Sequence, residues 1–219
     1  MEWEGEERLV RLPVHGAALE GDLLIPDEAR GLVLFAHGAG SGRHSARNRR
    51  VARTLNEAGL GTLLIDLLTP EEEAIDLFTA RSRFDIGLLA RRVIDAADWA
   101  SLNPDTRRLR VGLFGAGTGA AAALVAAAER PETVGAVVSR GGRPELAGGA
   151  LERVRAPTLF IVGGLDEIAV DLNRGAFERL RAEKAMAVLP GASRFFEEPG
   201  ALEEVARRAR DWFAPRLGA

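Results

Sequence analysis

The sequence predicts a mostly parallel α/β fold: a doubly wound sheet of about eight strands with helices on both faces. Short, continuously apolar runs at residues 31–35, 62–65, 111–114, 134–138 and 158–162 have the pattern of strands buried on both sides. Between them stand stretches whose apolar residues recur at helical spacing, the alternation that builds parallel βαβ units. The 219 residues suit one domain over 1–219, and no linker, repeat or low-complexity tract divides them.

Residues 9–14 and 18–25 read as an antiparallel pair of strands, turned at His15-Gly16 and closed by Pro26-Asp27. The strand at 31–35 leads into the glycine-rich stretch 37–42. A helix follows that buries Val51, Leu55 and Ala58 and stops at Gly59 and Gly61. The strand at 62–65 ends in Asp66. The acidic run Glu71-Glu72-Glu73 then marks a helix start, where carboxylates complement the dipole, and Glu72 is expected in solvent rather than in a cleft. Ile86, Leu89, Val93 and Ala97 define the next helix, which stops near Asn103-Pro104. The strand at 111–114 runs into an alanine-rich helix at 118–129. The strand at 134–138 runs into Ser139-Arg140-Gly141-Gly142 and a short helix near Ala150. The strand at 158–162 precedes a helix carrying Leu172, Phe177 and Leu180. A last strand at 185–189 leads through Pro190-Gly191 to a terminal helix that faces inward through Leu202, Val205, Ala209 and Trp212 or Phe213.

A net charge of −3 removes the electrostatic case for a nucleic-acid partner. The absence of cysteine excludes disulfides, thiolate metal sites and a cysteine nucleophile, and it suits a cytoplasmic setting. No apolar run reaches the length of a membrane span, and the acidic residues 1–7 do not resemble a secretory signal. Nothing in the sequence requires a metal or cofactor, so the expected partner is a small-molecule ligand or ester-like substrate. Lys184 is the only lysine and invites a Schiff-base reading, but a leftover surface lysine in an arginine-rich chain is the simpler one.

In such a sheet, chemistry gathers at the carboxyl ends of the strands. The loops there read HGAGSGRHSARN (37–48), GLFGAGTGAAAAL (112–124), VSRGGRPELA (138–147), VGGLDE (162–167) and PGASRFFEEPG (190–200). Each motif alone is weak, but five in this order resemble the α/β-hydrolase superfamily, and most closely its small, capless dienelactone-hydrolase-like branch. The resemblance covers residues 31–213. It implies an ancestry in ester or lactone hydrolysis through an acyl-serine. In that family a serine sits on a strand-to-helix elbow, G-x-S-x-G, a histidine takes its proton and a carboxylate orients the histidine. Two backbone N–H groups receive the oxyanion, one from the residue after the serine and one from the loop after the third strand.

Set on this pattern, the elbow reads Gly115-Ala116-Gly117-Thr118-Gly119, so Gly117 stands in the nucleophile slot. Asp166 fills the acid slot, and Arg194 stands in the base slot. The oxyanion donors fall at Gly38, Ala39 and Thr118, with Arg140 beside them. No serine lies between Ser101 and Ser139, so a shift by one residue does not restore the nucleophile. Losing such a nucleophile costs roughly 10⁶ in turnover, and an oxyanion hole with a cleft retains roughly 10³–10⁴ over water. Arginine stays protonated and is a poor base. The expectation is a hydrolase-fold protein without ordinary Ser-His-Asp hydrolysis, either a natural pseudoenzyme that kept a pocket or a hydrolase scaffold with an engineered active site.

Rival readings stay open. Gly115-x-Gly117-x-x-Ala120 satisfies the dinucleotide fingerprint, with Ser139 and Arg140 about 20 residues on, although it falls at the fifth strand instead of the first. Asp166 as a general base with Arg194 as anion stabiliser would make a different enzyme, but a plain Asp166–Arg194 ion pair is the simpler expectation. Ser193 more simply bonds within its own loop than acts as a stand-in nucleophile. His37 is expected beneath the oxyanion loop, His44 and Asn48 at the next helix start, and Phe195 and Phe196 packing the last loop.

Overall fold

The computed structural model describes residues 6–37 and 42–218. Among them, eight strands make one sheet in the order β1-β2-β4-β3-β5-β6-β7-β8. The strands are β1 (Arg8–Val14), β2 (Ala17–Leu24), β3 (Leu32–Ala36), β4 (Gly61–Ile65), β5 (Val111–Gly117), β6 (Val134–Gly142), β7 (Thr158–Gly163) and β8 (Lys184–Leu189). β1 and β2 form the expected hairpin, and β2 runs antiparallel to β4. All remaining pairs are parallel. Every residue of β3 and β4 is buried, as their unbroken apolar sequences demand.

Strand alternation splits the core in two. Val33, Phe35, Phe114 and Val138 point to the layer of α1 (Ala46–Glu57) and α6 (Ala201–Leu217). Leu34, Ala36, Leu113 and Val137 point to the layer of α3 (Ile86–Leu102) and α4 (Thr118–Glu129). Of the two aromatic residues near the end of α6, Phe213 is the fully buried one. Gly112 admits it, since a Cβ there would lie 2.7 Å from the Phe213 ring. Trp212 is only half-buried and donates its indole N–H to Pro157 O at 3.4 Å. The helix expected near Ala150 is a 3-10 segment, Pro144–Arg153, broken where Gly148 takes φ 55°.

Two expectations about charged residues need correction. Glu72, in α2 (Pro70–Thr79), is not a solvated helix-start residue. It closes a capping box with Thr69 and receives both ends of the Arg92 guanidinium at 2.6 Å. Arg92 is 1% exposed and also donates to Leu67 O at 2.6 Å, so the pair ties the loop after β4 to α3. The guanidinium holds the Glu72 carboxyl below its usual range. Lys184 is no leftover surface lysine either. Its Nζ donates to Phe177 O and Leu180 O at 2.7 Å and lies 4.7 Å from the Phe177 ring centre, a cationic cap on α5 (Glu167–Arg179).

Candidate functional site

The elbow is built where β5 turns into α4. A Cβ on Gly115 would lie 2.5 Å from Ala120 Cα, and one on Gly119 would lie 2.1 Å from Ala36 O. Packing forces both glycines, because helix and strand meet there without room for a side chain. Gly117 is different: its φ is 56° and ψ −129°, yet among the described residues nothing lies within 4 Å of a Cβ built on it. The position is strained for any other residue, but no described residue crowds it. Thr118 is buried at the first turn of α4, whose leading N–H groups have no intrahelical partner. Gly38 and Ala39 lie outside the described residues.

The described end of the loop after β3 at Arg43 is tied to the sheet edge. Arg43 donates its backbone N–H to Asp66 Oδ1 at 2.7 Å, and its guanidinium reaches Asp66 at 2.5 Å and Glu20 at 2.7 Å. Beside this pair a groove of about 540 Å³ is lined by Glu20, Asp66 and Glu71-Glu72-Glu73 against Arg11 and Arg43. That side of the sheet edge is acidic. His44 is exposed, 4.0 Å from Asp22, while Asn48 is fully buried in α1.

At the other end His37 is buried as expected, and its Nε2 has no hydrogen-bond partner. Burial lowers its pKa to about 4, Asp66 opposing the shift and Arg140 reinforcing it. An unfolded imidazole titrates near 6.5, so folding excludes a proton between the two values. The stability gained by burying it neutral is whole above about pH 6.5 and falls as pH drops towards 4, by about 3 kcal/mol in all. Urea unfolding at about pH 7 and 4.5 is expected to show this loss, and His37→Gln to reduce it. An equal loss in both proteins would contradict the assignment.

The acid and base slots meet at the ends of β6 and β7. A Cβ on Gly141 would lie 2.5 Å from Arg194 O, and one on Gly163 would lie 2.3 Å from Ser193 O. Glycine at these positions therefore lets the 190–200 loop rest directly on the strand ends. Leu165 N–H donates to Ala192 O at 3.0 Å, which binds the acid loop to the base loop. Asp166 is half-buried and caps α5, its Oδ1 accepting from Ala169 N–H at 3.0 Å. The expected Asp166–Arg194 ion pair does not form among the described residues. The carboxylate is engaged by the helix start, and the exposed Arg194 side chain stacks instead 5.0 Å from the Phe195 ring centre. Ser193 faces Glu198 within its own loop and holds that carboxyl below its usual range. Phe196 is buried with φ 58°, whereas Phe195 is 44% exposed.

Arg140 pairs in register with Ala116 on β5. It is buried rather than facing an open cleft: it donates to Asn48 Oδ1 at 3.1 Å and lies 5.9 Å from the Phe196 ring centre. Burial, reinforced by Arg47, lowers its pKa to about 10. The sequence reading missed Arg47, which stacks on Phe195 at 5.1 Å. One arginine among several at a helix start, with Arg43, Arg49 and Arg50 beside it, carries no signal for a ring so distant in the chain.

Gly117, Asp166 and Arg194, the positions the resemblance assigns to the triad, therefore lie on neighbouring loops and carry neither a hydroxyl nor an imidazole. The model of the dienelactone hydrolase family matches residues 19–214. The chain belongs to the dienelactone hydrolase family. Its structure superimposes on the crystal structure of dienelactone hydrolase from Anabaena variabilis with a TM-score of 0.95, at 59% identity over 97% of this chain and 99% of that one. A dienelactone hydrolase-like promiscuous phosphotriesterase from metagenomic libraries shares the fold at TM-score 0.79 and 20% identity, over 98% of this chain and 99% of that one. The Mycobacterium tuberculosis protein named "Putative phosphoribosyl transferase" is 55% identical over 197 residues, 90% of this chain. The chain spans 44% of that relative's length.

The family sheet order accounts for the dinucleotide-like match. A dinucleotide fold carries its fingerprint after the first strand of a 3-2-1-4-5-6 sheet, whereas here Gly115-x-Gly117-x-x-Ala120 spans the end of β5, the strand between β3 and β6, and the start of α4. The Ala120 match reflects the close seating of α4 on Gly115. Among the described residues, no group of three or more His, Asp or Glu side chains is placed to hold a metal ion. No helix among them is long and apolar enough to cross a membrane.

Proposed function

We propose that this dienelactone-hydrolase-family chain has lost Ser-His-Asp hydrolysis and works as a pseudoenzyme that binds a small-molecule ligand. The observation that carries this reading is Gly117: the elbow has its left-handed turn and its two packed glycines, but the nucleophile position holds no side chain. Arg194 supports it, since a permanently protonated guanidinium cannot accept the proton an acyl transfer must move. Asp166 as the base of a different reaction is less well supported, because one of its oxygens is committed to capping α5. At 59% identity the chain differs from the Anabaena enzyme across much of its length, which favours natural divergence over a site edited on that scaffold. The cysteine-free sequence favours a cytoplasmic setting. Transferase chemistry is not carried over from the mycobacterial relative, whose name describes a protein more than twice the matched length.

Covalent capture tests the reading. A fluorophosphonate ester that traps activated serines is expected to leave the intact mass of the chain unchanged after prolonged incubation. A stoichiometric adduct on any side chain would reveal a nucleophile and overturn the proposal.

A further inference from the structure

We propose that α2 is the contact surface of a homodimer, in which two copies of the chain pair their α2 helices antiparallel across a two-fold axis. The inference concerns a different surface from the triad slots and does not depend on the ligand-binding reading above.

The helix turns its carboxylates inward and its apolar side chains outward. Glu72 and Asp76, four residues apart, share the face that meets the rest of the protein. Arg92 holds Glu72, and the buried Asp76 accepts from the Ser82 and Arg83 backbone N–H groups at 2.7 and 3.1 Å and from Arg83 Nε at 2.6 Å. Ala74, Leu77 and Phe78 stand on the opposite face at i, i+3 and i+4, with Ile75 one turn before Phe78. Ile75, Leu77 and Phe78 are 63%, 71% and 92% exposed. Anchoring by ion pairs thus leaves the apolar face of α2 in solvent, and a contiguous face of this kind marks a contact surface. Phe84, in the 3-10 turn Ser82–Phe84 that packs against α2, is exposed as well.

The charges at its two ends select a second copy as the occupant. Glu71 and Glu73 are exposed at the start of α2, and Arg81 is exposed just past Ala80, whose φ of 52° ends the helix. Among the described residues none of the three side chains has an ion-pair partner. An antiparallel pair sets Glu71 of each copy against the partner's Arg81, so one contact is made twice. A surface of a single charge sign would instead meet a like charge at one end. The same order lays the positive end of each helix dipole beside the negative end of the other. The exposed residues of the face offer on the order of 500 Å² per copy, so a pair covers about 1,000 Å², the lower bound for a specific interface.

Sedimentation velocity on the full chain, from about 1 to about 200 µM, tests the proposal. An interface near the lower size bound predicts passage from monomer to dimer within that range. Phe78→Lys is expected to stay monomeric throughout, with the melting temperature of wild type at the lowest concentration, because the residue it replaces is exposed. Glu71→Arg and Arg81→Glu are each expected to weaken the dimer about tenfold, since each sets two pairs of like charges face to face. Mixed in equal amounts, these two variants are expected to form a heterodimer of near wild-type affinity, because both contacts between them again join opposite charges. A chain that stays monomeric at every concentration would overturn the proposal and assign the face to a different protein. A dimer that Phe78→Lys leaves intact would overturn it too, by placing the interface elsewhere. A dimer that Phe78→Lys abolishes but that mixing the charge variants does not restore would overturn the antiparallel pairing.

Discussion

Gly117→Ser combined with Arg194→His is expected to turn the chain into an ester hydrolase, raising turnover of a short activated ester by about 10³-fold or more. An intact triad is worth about 10⁶ in turnover, and a rebuilt one recovers part of that. Neither substitution alone should give more than about tenfold, since a hydroxyl without a base and a base without a hydroxyl are each nearly idle. The geometry supports the gain because the serine Cβ meets no atom of the described residues within 4 Å, on a turn already at φ 56°. Glycine occupies that conformation freely and serine does not, so the double variant should be less stable by about 1–3 kcal/mol. Steady-state kinetics and a melting curve on the four proteins of the cycle check both statements. Additive gains from the two single variants would show that residues 117 and 194 do not form a catalytic pair.

Glu72→Gln is expected to destabilise the fold by about 3 kcal/mol, because it leaves Arg92 charged and buried without its partner. The value sits at the low end for buried pairs, since the Glu72 side chain is 33% exposed while that of Arg92 is 2% exposed. Replacing both residues by methionine should cost clearly less than Glu72→Gln alone, as an apolar pair leaves no stranded charge. The depressed Glu72 pKa gives the same pair a pH signature. Its contribution is present above the ordinary carboxylate range and is lost as pH falls through the depressed value. Denaturant midpoints for wild type, Glu72→Gln and the double methionine variant measure these effects.

The strands were legible because burial on both faces writes an unbroken apolar run, as in LVLFA of β3 and GTLLI of β4. The elbow was legible for a steric reason. Gly115 and Gly119 are demanded by backbone contacts that no other residue allows, so the motif is recognisable with glycine also at the position between them. What escaped the sequence was pairing. Arg92 and Glu72 stand 20 residues apart on different helices, and no periodicity joins them. Asp166 and Arg194 were rightly placed on neighbouring loops, but a helix start and a phenylalanine ring took the partners each was expected to give the other. The 3-10 segment at Pro144–Arg153 was read as an ordinary short helix because only its backbone, broken at Gly148, distinguishes the two.

Rapid mixing of the unaltered chain with an activated acetate ester tests the proposed loss of hydrolysis most directly. The account predicts no burst of released alcohol, and a steady rate no more than about 10³–10⁴ above the ester's rate in water, the level that oxyanion donors and a cleft supply without a nucleophile. A burst stoichiometric with protein, followed by turnover of about 1 s⁻¹ or faster, would mean that an acyl-enzyme forms and that Gly117 does not mark a vacant nucleophile position.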